Sequence, residues 1–231
     1  MIASLLRSCF GPEVATVVAT PDMYRGTLLE EETAGVDRMV EKRRLEFTAG
    51  RVAARAALAR LGVVDFPIKV GPSREPIWPP GVVGTISHCQ GLCIAAVAPT
   101  EAVAGLGLDI EPATPLDSSL LPMVTTPTER ADLSDDSASQ PLWGKGLFCI
   151  KEAVYKAWFP HTYEPLGFQE VVVEVDYQRG TWVGTIKRAV TDRFPATVRG
   201  WIREQDGFLL AGLRVPPAVA AGRSDSEGGN R

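Results

Sequence analysis

Histidine and cysteine are scarce: two histidines and four cysteines among 231 residues. Cys9, Cys89, Cys93 and Cys149 form no C-x-x-C pair, which excludes a zinc ribbon or finger. They fit the reduced, partly buried thiols of a cytosolic protein. No apolar run reaches the ~20 residues of a bilayer-spanning helix, so no membrane anchor is expected. Met1 to Phe10 is apolar in part but has neither a basic start nor a small-residue cleavage site, so it is not a signal peptide. There is no G-x-S-x-G elbow, and neither Ser87 nor His88 has neighbours that would make a hydrolase triad. Positive charge is not in excess either. Lys and Arg number 24 against 28 Asp and Glu, a net charge of −4, which argues against a broad nucleic-acid footprint. Any anion site must be a local cluster.

What is present describes a soluble globular chain with a real core: 45% hydrophobic and 23% charged residues. Its centre is Val103 to Pro112, Val-Ala-Gly-Leu-Gly-Leu-Asp-Ile-Glu-Pro. Leu106, Leu108 and Ile110 alternate with Gly107, Asp109 and Glu111, which predicts a strand. Asp109 and Glu111 leave the same face. Two like charges that close repel unless something positive lies between them. A divalent cation with oxygen ligands is the natural candidate; a solvated strand end is the plain alternative. Gly105 and Gly107 let another backbone or a ligand approach that face.

Before it, Pro12 to Thr20 predicts a strand. Glu30 to Glu32 reads as a solvated acidic run. A long helix is expected from Thr33, as N-cap, to Leu61, closed by Gly62. At about 100° per residue, Arg44, Arg51 and Arg55 fall in a band roughly 40° wide bordering its apolar stripe. A basic solvated face is one reading, and the rim of a phosphate groove the other. Gly71 to Gly81 is a rigid Pro-rich loop carrying Trp78. Val82 to His88 and Leu92 to Ala98 predict a hairpin about Cys89-Gln-Gly91, with His88 at the turn beside Ser87. Residues 113–140 form a surface excursion with a short helix near Pro127 to Leu133. Leu142 to Phe159 is a helix with Leu147, Ile150, Val154 and Trp158 as its buried stripe, stopped by Pro160. Glu152 and Lys156 share one face. Two more hairpins follow, 170–186 and 197–215, and then a disordered tail. The class is α+β, two similar halves packed side by side: residues 1–102, 103–216, and a tail at 217–231.

Three stretches together resemble the Sfp-type 4′-phosphopantetheinyl transferases, in the branch that includes the actinobacterial and enterobactin-type enzymes. They are Trp78-Pro-Pro-Gly-Val-Val-Gly-Thr-Ile-Ser-His88, Gly107-Leu-Asp-Ile-Glu111 and Phe148-Cys-Ile-Lys-Glu-Ala-Val-Tyr-Lys156. Their order and spacing also agree, and Lys42-Arg-Arg-x-Glu-Phe47 is similar to the same branch. The resemblance implies a pseudo-dimer of two α/β subdomains. It implies an enzyme that moves 4′-phosphopantetheine from coenzyme A to a serine of an apo acyl, peptidyl or aryl carrier protein, with Mg²⁺, releasing 3′,5′-ADP. The missing nucleophile is then explained: it arrives on the partner.

By position, the resemblance implies Asp109, Glu111 and Glu152 as metal ligands, with Glu152 also the base for the carrier serine. Lys156 would lie near the leaving phosphate and Lys151 would contact phosphate. Ser87 and His88 would meet the coenzyme A phosphates, and Arg44 and Arg51 the 3′-phosphate end. The loop of Arg74, Glu75 and Pro76 would pack near adenine. Two departures stand out. Thr85 replaces the usual serine of the first motif, and the lysine often found before Trp-Pro is absent, with Ser73 and Arg74 in its region. Arg55 has no motif behind it. The competing readings are a Mg²⁺-dependent phosphohydrolase acting on a nucleotide-like anion and a non-catalytic module binding coenzyme A or a carrier. A cytoplasmic monomer is expected, serving polyketide, nonribosomal-peptide, siderophore or fatty-acid carriers. Docking is expected through an apolar and basic patch near Pro122 to Arg130 and the Lys145 to Tyr155 helix.

Overall fold

A computed structural model describes residues 1–131, 142–188 and 193–217 of the chain. It begins with helix α1 (Ile2–Phe10) and strand β1 (Ala15–Val18), followed by 3-10 turns at Pro21–Arg25, Glu30–Glu32 and Val36–Arg38. Helix α2 (Glu41–Ala59) precedes the hairpin of β2 (Val82–Cys89) and β3 (Leu92–Pro99). Then come β4 (Gly105–Pro112), the short helices α3 (Leu121–Val124) and α4 (Pro127–Ala131), and the long helix α5 (Trp143–Thr162). Four strands finish the fold: β5 (Val171–Asp176), β6 (Thr181–Ile186), β7 (Thr197–Gln205) and β8 (Phe208–Val215).

The strands make two antiparallel sheets, ordered β1-β3-β2 and β4-β8-β7-β6-β5. Each sheet carries one long helix: α2 lies on β3, and α5 on β4 and β8. This is the α+β, two-halves architecture that the alternation of elements predicts. Ala53, Ala57 and Leu58 of α2 bury against Val17, Ala95 and Val97. Ile150, Val154 and Trp158 of α5 bury against Val173, Trp182 and Leu213. A third cluster joins the halves: Ile94, Ala96 and Ala98 of β3 pack with Leu106, Leu108 and Ile110 of β4. Because side chains alternate along a strand, burying those three on β4 turns Asp109 and Glu111 to the other face. The β2–β3 turn is tight, with Gln90 and Gly91 both at positive φ, the pairing that a two-residue hairpin loop requires.

Three expectations need correction. The helix expected from Thr33 begins at Glu41. Gly35 is left-handed (φ 79°) and Val40 is extended, so residues 33–40 form a folded-back segment instead. Pro160 does not stop α5. The helix runs on to Thr162 and ends at Tyr163, whose φ is 55°. Pro160 only withdraws the amide that would have met the Lys156 carbonyl. Residues 2–10 are helical; Ile2, Leu6 and Phe10, four apart, form the buried face. Glu32 is not solvated but fully buried. The short helix expected to reach Leu133 is seen as Pro127–Ala131, and Leu133 lies outside the described residues, as do 218–231 of the tail. Among the described residues no helix is long and apolar enough to cross a membrane.

Candidate active site

The site forms where β2, β4 and α5 meet. Helix α5 can lie on β4 because Gly107 has no side chain; a Cβ there would collide with the Ala153 carbonyl oxygen. That approach sets Glu152 and Lys156 over Asp109. Gly107→Ala is therefore expected to lever α5 away, costing about 1–3 kcal/mol by overpacking. Transfer should fall further than that loss implies, since a 1 Å misplacement of reacting groups costs on the order of 10²-fold. Thermal melting and turnover of the same sample check this, and unchanged turnover would show that the close approach is dispensable.

Asp109 is buried. Its Oδ1 accepts hydrogen bonds from Ser87 Oγ at 3.0 Å and from Lys156 Nζ at 2.7 Å. Lys156 also donates to Ser87 Oγ at 3.0 Å and to the Leu108 carbonyl at 3.2 Å. Asp109 Oδ2, equally buried, has no partner among the described residues. Glu111, further along β4, faces Lys145 Nζ at 3.3 Å. Burial first, then the Asp109 charge, push the Glu111 carboxyl above its ordinary range, against the pull of Lys145. Glu152 is pushed up in the same way, by burial and then by Asp109 and Glu111, with Lys156 opposing. The Asp109 charge thus acts on both glutamates, and that of Glu111 adds to the rise of Glu152.

Beside them lies a cavity of about 570 Å³ lined by Arg38, Arg43, Arg51, Arg74 and His88 among others. Arg51 is buried with its guanidinium 4.4 Å above the Phe47 ring, and burial pulls its pKa down to about 10. Arg43 donates to His88 Nε2, which leaves the imidazole proton on Nδ1, 3.5 Å from Glu46 Oε2. Burial and then the Arg43 charge hold His88 below the usual imidazole range, with Glu46 opposing. Arg74, Pro76 and Ile86 are shared with a second cavity of about 230 Å³ that reaches Glu152, Tyr155 and Lys156. Glu152 and Tyr155 are shared in turn with a third, of about 230 Å³, walled by Leu166, Phe168 and Val171. A cationic cavity, a carboxylate–lysine junction and an apolar cavity therefore adjoin in that order.

Of the residues singled out in the sequence, Glu152, Lys156, His88, Arg51, Arg74, Glu75 and Pro76 line this path, Lys151 lines its apolar end, and Ser87 and Asp109 bond to Lys156. Glu111, Arg44 and Arg55 line none of the three cavities. Arg44 is exposed and outside the lining of the cationic cavity, where Arg43 and Arg38 stand instead. Arg43, Glu46, Gly50 and Arg51 line it at spacings of three, four and one, so the helical face was readable one residue earlier. The phosphate role expected for Lys151 does not fit. Its ammonium is buried and gives its three protons to the Val124 carbonyl (2.8 Å), Glu129 Oε2 (2.8 Å) and the Phe168 carbonyl (3.0 Å). Lys156 is also bonded, but 26% of its side chain is open, against 1% for Lys151. Arg55 turns away to Glu32 and the Thr27 carbonyl.

Two helix-on-sheet halves with an acid–lysine junction at their seam, beside an arginine-lined cavity, define an enzyme that handles a phosphorylated substrate. Comparison with known families makes the class specific. Residues 30–98 match the 4′-phosphopantetheinyl transferase N-terminal domain, and residues 105–202 match the 4′-phosphopantetheinyl transferase superfamily. The 4′-phosphopantetheinyl transferase Svp of Streptomyces mobaraensis is 45% identical over 90% of this chain and 82% of its own length. PptT of Mycobacterium tuberculosis is 39% identical over 92% of this chain and 97% of its own. Enterobactin synthase component D of Salmonella typhi is 37% identical over 51% of this chain and 49% of its own. The chain belongs to the 4′-phosphopantetheinyl transferase superfamily, and its activity is phosphopantetheinyl transfer onto carrier proteins, with coenzyme A as co-substrate.

Proposed function

We propose that coenzyme A lies along the three adjoining cavities, its 3′-phosphate and nucleotide among the arginines, its diphosphate at Lys156 and its uncharged arm beside Leu166 and Phe168. The observation that carries this reading is the buried, unpartnered Asp109 Oδ2 at the junction. A buried acceptor left unsatisfied costs about 1–3 kcal/mol, so the fold keeps it there for something that binds. Among the described residues no three His, Cys, Asp or Glu side chains are gathered to hold a metal by themselves. That suits Mg²⁺, which takes one or two carboxylates and completes its shell with waters and substrate phosphate. Asp109 with Glu111 or Glu152 would hold it, as two of the three acids named for it, and a cation there would offset the negative charge that raises Glu111 and Glu152. When bound, it supplies neutralisation of the charge on the diphosphate oxygens.

The chain's own groups do the rest. Glu152, which lines the second cavity beside Lys156, is placed to accept the proton of the incoming carrier serine. The serine oxygen bonds to the phosphorus that bears the pantetheine arm, and the bond from that phosphorus to 3′,5′-ADP breaks. Lys156 neutralises the departing oxygen, and Ser87 keeps Lys156 and Asp109 in register. The carrier would approach over α3 and α4, where Leu120 and Met123 are exposed.

The experiment is a mass measurement. The protein is incubated with coenzyme A, Mg²⁺ and each of a panel of apo carrier domains. A carrier heavier by one phosphopantetheine, formed only until a chelator is added, is the expected result. Coenzyme A breakdown without a carrier would favour a phosphohydrolase; no change with any carrier would favour a binding module.

A further inference from the structure

We propose that Glu32 and Arg55 are the positioning pair of the cationic cavity, setting its grip on the nucleotide end of coenzyme A without touching it; this rests on the reading of that cavity as the coenzyme A site. Neither residue lines the cavity. Both belonged to features that the motifs leave unexplained, an acidic run and an extra arginine.

Glu32 is fully buried. Its Oε2 accepts from the Leu29 amide at 3.0 Å and from the Arg55 guanidinium, and its Oε1 accepts from the Ile68 amide at 3.0 Å. Arg55 donates a second bond to the Thr27 carbonyl at 2.6 Å. Each of these anchor points adjoins a wall of the cavity. Ala34, Gly35, Arg38, Met39 and Val40 follow Glu32 in sequence. Val70, Arg74 and Pro76 follow Ile68. Arg51 is one turn before Arg55 on α2. A single carboxylate therefore fastens three walls to one another.

The first wall has little else to hold it. Of residues 33–40 only Val36 is buried, and the segment's backbone bonds are local ones within residues 30–44. Glu32 also opposes the positive charges gathered here: it is the carboxylate acting on Arg51, which is otherwise repelled by Arg43 and Arg55. An arginine is suited to the partner role because its planar fork presents separate nitrogens, held in a fixed geometry, to Glu32 and to Thr27. The pair thus fixes how far apart the arginines of the cavity stand.

The test uses the full chain with coenzyme A, Mg²⁺ and an apo carrier. Glu32→Gln keeps the shape but turns an amide donor either towards Leu29 and Arg55 or towards the Ile68 amide. Arg55→Lys keeps the charge but loses the fork, and it carries the test if Glu32→Gln does not fold. For folded variants the KM for coenzyme A is expected to rise about tenfold, which corresponds to about 1.4 kcal/mol of binding, with kcat and the KM for the carrier unchanged. Direct calorimetric titration of coenzyme A should show the same loss. A merely structural pair would lower the active fraction, so kcat would fall while KM stayed the same, and that result overturns the proposal. So does an unchanged KM in Arg55→Lys. Arg38→Ala and Arg74→Ala are the controls. If they weaken coenzyme A while Glu32→Gln and Arg55→Lys do not, the positioning role is wrong. If none of the four does, the reading of the cavity falls with it.

Discussion

Asp109→Ala should abolish transfer, lowering kcat/KM on the order of 10³-fold or more, about 4 kcal/mol of transition-state stabilisation, while the protein still melts cooperatively. Asp109 is where every charged element of the junction meets. Its Oδ1 fixes Ser87 and Lys156, and its Oδ2 is the open acceptor. Alanine removes both and releases Lys156 to Ser87 Oγ and the Leu108 carbonyl. Asp109→Asn separates the two roles. It keeps an acceptor for Ser87 or Lys156 but loses the negative charge, so a metal-holding Asp109 predicts that asparagine is nearly as inactive as alanine. If Asp109 served only to position Lys156, asparagine would retain a substantial part of the activity. Calorimetry of Mg²⁺ binding with coenzyme A present gives a second readout: alanine should lose the heat of metal uptake, and asparagine, with only an amide oxygen left, most of it. Glu152→Gln should also fail in turnover but bind metal better than Asp109→Ala, since an amide oxygen still ligates weakly. Near-full turnover in either Asp109 variant would remove this residue from the mechanism.

The parts of the site that the sequence disclosed are those set by short-range periodicity. Asp109 and Glu111 share a face because a strand repeats every two residues, and Glu152 and Lys156 because a helix repeats near every four. The hairpins announced themselves through Gln90-Gly91 and Asp206-Gly207, each with both residues at positive φ. What stayed hidden was set by partners far along the chain. Glu32 looked solvated within its run of acids. Its burial depends on Arg55 and on Ile68, 23 and 36 residues away. Lys151 sits in the same motif as Glu152 and Lys156, yet its oxygens come from residues 17 to 27 positions distant. One position along a helix turns a side chain by about 100°, so neighbours in a motif need not share a surface. The break before α2 was masked because apolar spacing continues through Val36 and Val40, while Gly35 at positive φ ends any helix there.

Lys151 and Glu129 carry the largest stability effect expected in the chain. Their side chains are 1% and 2% exposed, and Nζ and Oε2 are 2.8 Å apart. Glu129 is otherwise satisfied by backbone: Oε2 accepts from the Thr126 amide at 2.6 Å, and Oε1 from the Val173 amide at 2.8 Å. Thr126 Oγ1 accepts in turn from the Glu129 amide at 3.2 Å, so the two residues form a capping box at the start of α4. The pair thereby ties α4, β5 and the Phe168 turn to α5. Burial lowers the Lys151 pKa, and the hydrogen bond and charge of Glu129 oppose that. Removing one partner strands the other charge in the core. Lys151→Met and Glu129→Ala should each cost about 3–5 kcal/mol in urea unfolding. Replacing both partners leaves no stranded charge, so Lys151→Met with Glu129→Gln should cost clearly less than the sum of its two single changes. The singles should also impair transfer, because Lys151 and Phe168 wall the apolar cavity next to Glu152. Single variants that unfold within about 1 kcal/mol of the parent would mean that water or another cation replaces the missing charge, and Lys151 would return as a candidate phosphate ligand.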